Sequence, residues 1–250
     1  MSQPQAHQIA RFVPRDSRKE SAVALGADFA ENFLLQYVEG MPLEQVGWGR
    51  VSRPTLDRLM EMNTRYHDFI LRTPYYAQQA AEPLAQRIAY ALYGGIRAGT
   101  VIINGGGKAS AEATDQRRLP ELGEWGAQHN ANPEYGRRFY LFSAHDANLA
   151  WMGGLLRIDW LVSDETFNAT PPGSALVFEM HGNTKTNANT VRVMFMAQTL
   201  DQIRNLTPLT GDEKPSIAPV YVPGCSGPGP DYACALQDFV RVVNAAAGAQ

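Results

Sequence analysis

Apolar residues recur at helical spacing from Ser21 to Val38, where Val23, Ala27, Ala30, Leu34, Tyr37 and Val38 share one side of an amphipathic helix. Gly40 and Pro42 stop that pattern, and the loop Met41–Gly49 follows, with glycines flanking Trp48. A second helix is predicted over Arg53 to Leu71. Pro54 lies near its first turn, and Leu56, Leu59, Met60, Asn63, Tyr66, His67 and Ile70 run along one side. Pro74 breaks it, and Pro83 with Gly94-Gly95 brackets a third helix from Glu82 to Tyr93.

The pattern then changes. Thr100–Ile103 is short and β-branched, whereas Asn104–Asn132 mixes Gly, Ala and charge without a period and is assigned no element. Arg138–Ser143 has the composition of a buried strand, and Ala147–Leu156 reads as a helix ending near Arg157. Thr170-Pro-Pro-Gly173 is a turn. Ala175–Met180 and Val191–Ala197 are predicted as an antiparallel hairpin across the polar Gly182–Thr190, and Leu236–Ala246 as a short final helix. No internal repeat is visible.

Composition bounds the class of molecule. The chain of 250 residues is 44% apolar and 19% charged, enough for one or two domains with a sizeable core. A net charge of −3 gives no electrostatic case for binding nucleic acid or an anionic membrane. No uninterrupted apolar stretch approaches the roughly 20 residues that span a bilayer. Met1–Glu20 is polar, contains Pro4 and Pro14, and does not read as a secretory signal. The two cysteines, Cys225 and Cys234, sit close together in a Gly/Pro-rich tail. They are either a bridged pair, contributing on the order of 2–3 kcal/mol, or two free thiols in a reduced compartment. Neither they nor the histidines have the spacing of a metal site.

The chemistry concentrates in Phe139–Leu149, where an apolar run ends at His145-Asp146 and a helix opens directly afterwards. An imidazole and a carboxyl beside the positive end of a helix can hold a phosphate and protonate a leaving oxygen. The competing reading makes Asp146 a helix cap and His145 a satisfied core histidine. His7, His67, His129 and His181 lack such a context and are expected to be surface or packing residues. Gly105-Gly106-Gly107-Lys108 is not a Walker loop, because Ile102 and Ala109 stand where Gly and Ser or Thr are required.

Ser143–Gly154, followed by Asn168–Glu179 with its Thr-Pro-Pro-Gly turn, resembles the His-Asp segment of bacterial histidine acid phosphatases, in their periplasmic phytase and glucose-1-phosphatase branch. Phe33–Pro42 with Val46–Arg50 is similar to that family's helix and pocket-rim loop, and Arg72-Thr73-Pro74 fits its next landmark. The likeness runs from about residue 28 to the end, with an unusual stretch near 104–135. It implies an α/β fold: a three-layer α/β sandwich of the phosphoglycerate mutase-like or histidine phosphatase type with a helical subdomain. Residues 1–20 would be an irregular lead-in, 21–98 the helical portion and pocket rim, and 99–250 the carboxyl-terminal part of the phosphatase domain. It also implies a Cys225–Cys234 disulfide, a periplasmic or secreted location, a small phosphomonoester substrate and no cofactor.

In that family the phosphoryl group passes to a histidine of an Arg-His-Gly-x-Arg-x-Pro motif, and water then hydrolyses the phosphohistidine. Three arginines clamp the phosphate. The resemblance makes Asp146 the proton donor and His145 a phosphate contact. It also makes Glu39 and Met41 candidates for the substrate-facing rim, against a plain role in ending the helix and packing the loop. No Arg-His-Gly occurs in the 250 residues. The chain begins roughly where the second half of a family member would begin. The expectation is therefore a fold that is incomplete without its amino-terminal half, and a chain inactive unless that half is supplied, for example as a separately encoded partner. The alternatives are a non-catalytic phosphate-binding or interaction module, and a truncated remnant without function.

Overall fold

The computed structural model describes residues 22–94, 101–103, 139–183 and 188–248. The lead-in and all of 104–138, including the Gly105–Lys108 run, therefore lie outside the described residues. The chain divides into two compact units, Met1–Tyr66 and His67–Gln250. This groups the predicted third helix with the second unit, whereas the resemblance groups it with the helical portion ending at residue 98.

The first unit is a helical pair. Helix α1, Ala22–Val38, buries Ala27, Ala30, Leu34 and Tyr37, while Val23 at its start is exposed. It packs on α2, Arg53–Tyr66. Asn63 Nδ2 donates to the Ala27 carbonyl at 3.4 Å, and the Arg53 guanidinium lies 5.7 Å from the Tyr37 ring centre. Between them Gly47, Trp48 and Gly49 are all left-handed (φ 53°, 59° and 73°). Glycine is required at both flanks: a Cβ at Gly49 would lie 2.7 Å from the Glu44 carbonyl oxygen, and one at Gly47 would overlap Val51. The Gln36 side-chain oxygen accepts the Gly47 N–H at 2.9 Å, fixing this loop to α1.

The second unit opens with a π-helical turn, His67–Leu71, closed by an Arg72 N–H to His67 carbonyl bond of 3.0 Å. Helix α3 then spans Pro74–Gly94. Two expectations change here. Pro74 opens this helix as well as ending the previous one, because the first turn needs no proline N–H. Pro83, expected near the start, lies inside it. A stripe of Ala77, Ala81, Ala85, Ile88, Ala89 and Leu92 is buried along α3.

The sheet is antiparallel, in the order β1 (Val101–Ile103), β2 (Ala175–Asn183), β3 (Ala188–Ala197), β4 (Ser216–Pro219), with β5 (Cys234–Ala235) pairing a further stretch of β3. The predicted hairpin is present, with both strands longer than expected: Leu176 faces Phe195 and Phe178 faces Val193. Strand β3 alternates buried Val191, Val193, Phe195 and Ala197 with half-buried residues, the period of a pleated strand. Helix α4, Asp146–Leu156, packs against α3, and α6, Leu236–Ala246, packs against α3, α4 and β3. Trp160 stacks on Phe195 at 4.6 Å between ring centres, its indole N–H donating to the Ala169 carbonyl at 2.7 Å. A short helix α5, Leu200–Arg204, is capped by Thr199, whose hydroxyl accepts the Gln202 N–H at 3.1 Å.

The expected strand at 138–143 is a correction. Phe139–Ser143 joins no ladder among the described residues. Its burial nevertheless alternates: Tyr140 and Phe142 pack on the core while Phe139 and Leu141 face outward. The side-chain pattern of a strand is present, with no ladder partner among the described residues.

Candidate active site at the His145–Asp146 helix start

Helix α4 begins one residue earlier than its apolar pattern suggests. His145 occupies the cap position in an extended conformation (φ −93°, ψ 160°), and Asp146 is the first helical residue. Asp146 is thus not the cap that the competing reading made it. Asn148 serves the turn instead, its Oδ1 accepting the His145 N–H at 3.1 Å. At the far end Arg157 takes a left-handed conformation (φ 54°), and the Ile158 N–H returns to the Gly153 carbonyl at 3.0 Å.

The two predicted residues sit differently. His145 is exposed, which removes the alternative of a core histidine. The Asp146 side chain is 32% exposed, so solvent or a ligand can reach it. Its two oxygens are distinguished: Oδ1 accepts the Ala147 N–H at 2.7 Å, while Oδ2 stands 3.5 Å from His67 Nε2. Below the pair, the helix buries Leu149, Ala150, Met152, Leu155 and Leu156, which anchors the start against the core. An acidic residue in a first turn is also favoured by the helix dipole.

His67 is the residue that periodicity did not expose. It is buried in the π-helical turn, and burial lowers its pKa, with the Asp146 and Asp68 charges pulling the other way. Beside it, Arg72 forms a second polar cluster. Nε pairs with Asp68 at 3.2 Å, Nη2 donates to Asp159 at 2.6 Å and to the Ile158 carbonyl at 2.7 Å, and the guanidinium lies 5.0 Å from the Trp160 ring centre. Asn168 Nδ2 donates to Asp159 at 2.8 Å and Asn168 Oδ1 accepts the Trp160 N–H at 3.1 Å. This cluster fixes the segment after α4 to the π turn and so holds the helix in place.

Glu39 and Met41 belong to the first unit. Glu39 is exposed just past α1, its N–H bonded to the Leu35 carbonyl, and the half-buried Met41 bonds the Gln36 carbonyl. These are backbone roles at a helix end, and they leave both side chains' functional assignment a matter of resemblance. Cys225 and Cys234 form a disulfide. No group of three or more His, Cys, Asp or Glu side chains able to hold a metal ion occurs among the described residues.

Residues 24–196 match the family model described as histidine phosphatase superfamily (branch 2). Phytase AppA of Escherichia coli (strain K12) is 29% identical over 226 residues, covering 90% of this chain and 45% of that protein. A glucose-1-phosphatase of Salmonella typhimurium is 22% identical over 91% of this chain and 46% of its own length. Among solved structures, the Hafnia alvei phytase in complex with myo-inositol hexakis sulphate superposes with a TM-score of 0.68 at 30% identity. The Citrobacter braakii phytase gives 0.67 at 27%. Each covers 90% of this chain, which in turn spans 48% and 49% of theirs. The chain thus spans about half the length of the relatives it matches.

Proposed function

Because this chain belongs to the histidine phosphatase superfamily (branch 2), with the α/β fold of that family, we propose that it supplies the acid side of a phosphomonoesterase site, of phytase-like or sugar-phosphatase-like type. Asp146 protonates the leaving alcohol and His145 contacts the phosphate. The observation that carries this reading is the placement of the Asp146 carboxyl: Oδ1 accepts a backbone N–H, Oδ2 stands 3.5 Å from His67 Nε2, and the side chain is still open to solvent. A carboxyl so placed can donate a proton to the departing oxygen of a breaking P–O bond.

The attacking histidine and the arginine clamps of the family motif have no counterpart within the 250 residues. In this reading they come from an amino-terminal half, supplied on the same or another polypeptide. The phosphoryl group would move from the ester oxygen to that histidine while Asp146 gives its proton to the departing oxygen, and water would then cleave the P–N bond. Glu39 and Met41 are proposed for the rim that meets the substrate, a small phosphate ester. The Cys225–Cys234 bridge supports an oxidising compartment, periplasmic or extracellular.

The test is an assay of the purified 250-residue chain with and without a co-expressed segment carrying Arg-His-Gly-x-Arg-x-Pro. Hydrolysis only in the presence of the segment supports the reading. Turnover by the chain alone overturns it. Phosphate binding without hydrolysis under both conditions would favour a binding module instead.

A further inference from the structure

The π-helical turn at His67–Leu71 does something specific to its first residue. Widening the helix by one residue per turn, through the Arg72 N–H to His67 carbonyl bond of 3.0 Å, leaves Phe69 and Ile70 exposed just after His67, which is buried with its Nε2 beside the start of α4. Such single π turns are costly relative to continuous α-helix and cluster at functional sites. A buried polar ring also needs a partner to offset lost hydration, and the ring finds one in the carboxyl assigned as proton donor.

We propose that His67 is a positioning residue for Asp146, its Nε2 orienting the Oδ2 that carries the transferable proton. The inference takes its functional meaning from the phosphatase reading, but its physical content is independent of it. Oδ1 is bound to the Ala147 N–H at 2.7 Å, so rotation about the carboxyl is fixed at one oxygen. His67 Nε2, 3.5 Å from Oδ2, addresses the other. That separation is longer than the roughly 2.7–3.2 Å of an N–H···O hydrogen bond, and catalytic contacts often tighten when substrate binds.

A neutral imidazole suits this task better than a charged one. It can donate Nε2–H to the carboxylate, and in the other tautomer accept the O–H of the carboxylic acid, so Oδ2 keeps a partner in both protonation states. An imidazolium would hold only the ionised form, the one with no proton to give. The surroundings favour the neutral ring: burial lowers the His67 pKa, with the Asp146 and Asp68 carboxylates opposing. Asp68 is itself engaged by Arg72 Nε at 3.2 Å and by Asn168 Nδ2 at 3.4 Å, which draws part of its charge away from the ring.

The experiment is a histidine-ring NMR titration of the full 250-residue chain, labelled with ¹³C and ¹⁵N. His67→Phe identifies the His67 signal among five histidines. In wild type the His67 midpoint should lie below the ordinary 6.5, and ring ¹⁵N shifts at neutral pH should show Nε2–H. Asp146→Asn removes the nearby charge and should lower the midpoint further, by about one unit. An unchanged midpoint in a folded Asp146→Asn chain overturns the proposal. So does a wild-type ring protonated on Nδ1 at neutral pH, which is read without any variant. None of these readouts needs turnover. A failed titration would leave the phosphatase reading standing, and an inactive reconstituted enzyme would leave the His67–Asp146 coupling measurable.

Discussion

Gly154 lies against the backbone of Arg72, so closely that a Cβ at this glycine would fall 2.5 Å from the Arg72 carbonyl oxygen and 2.7 Å from its Cα. The neighbouring Gly153 faces the guanidinium of the same arginine, where a Cβ would overlap Nη1. Two landmarks separated in sequence, Arg72-Thr73-Pro74 and Met152-Gly153-Gly154, are thus one contact. It seats the helix that begins at Asp146 against the turn that carries His67.

Gly154→Ala should therefore destabilise the second unit. The obstacle is backbone, which cannot rotate away, so the cost is about 1–3 kcal/mol of overpacking. A thermal melt should show the midpoint lowered by several degrees, roughly 2–4 °C per kcal/mol for a chain of this size. An unchanged melt would mean that α4 is free to shift.

Arg72→Lys keeps the charge and loses the fork. Lysine cannot span Asp68, Asp159 and the Ile158 carbonyl together, and it offers no planar face to Trp160. A loss of about 1–3 kcal/mol is expected in urea unfolding, the exposure of Asp159 keeping it at that scale. Wild-type stability in the variant would show the cluster to be incidental.

His67 makes stability depend on pH. The unfolded ring titrates near 6.5 and the folded one lower, so between those values the unfolded chain binds more protons. Its contribution to unfolding free energy rises with pH across that window, is complete above about 6.5, and is lost as pH falls towards the folded pKa. His67→Phe, of comparable size and apolar, should have a smaller drop in melting temperature between pH 7.5 and 5.5 than wild type. Parallel pH dependences would contradict the assignment of a buried, neutral ring.

The Cys225–Cys234 bridge closes a loop of sequence separation 9 next to β5 and α6. Reduction, or the Cys225→Ser/Cys234→Ser pair, should cost about 2–3 kcal/mol through the freedom returned to the unfolded chain. Calorimetry with and without reductant reads this directly. Equal midpoints would show that the final helix does not need the staple.

Much of this fold was legible in the pattern of apolar positions. The helices Ala22–Val38, Arg53–Tyr66 and Leu236–Ala246, and the hairpin of β2 and β3, follow periods of 3.6 and 2 that burial enforces. What escaped lies where local signals conflict with partners far along the chain. Phe139–Ser143 has a strand's composition, but a ladder depends on a neighbouring strand that composition cannot supply. Pro83 breaks helices by propensity, yet the buried Ala77, Ala81 and Ala85 on either side carry α3 through it. The helix Leu200–Arg204 was signalled by Thr199 and Gln202, a capping box. At the site, His145 and Asp146 stood out by residue type and resemblance. His67 did not, because helical spacing accounts for an inward-facing residue and says nothing of the carboxyl opposite it.

The most direct test of Asp146 as proton donor is the dependence of rate on the leaving group in the enzyme reconstituted with its motif-bearing segment. Asp146→Asn should reduce hydrolysis of an alkyl phosphate, whose departing oxygen must be protonated, by about 10²–10⁴-fold. It should leave p-nitrophenyl phosphate, whose leaving group departs as a stable anion, far less affected. Equal losses on both esters would contradict the assignment and reduce Asp146 to a structural residue at the head of its helix.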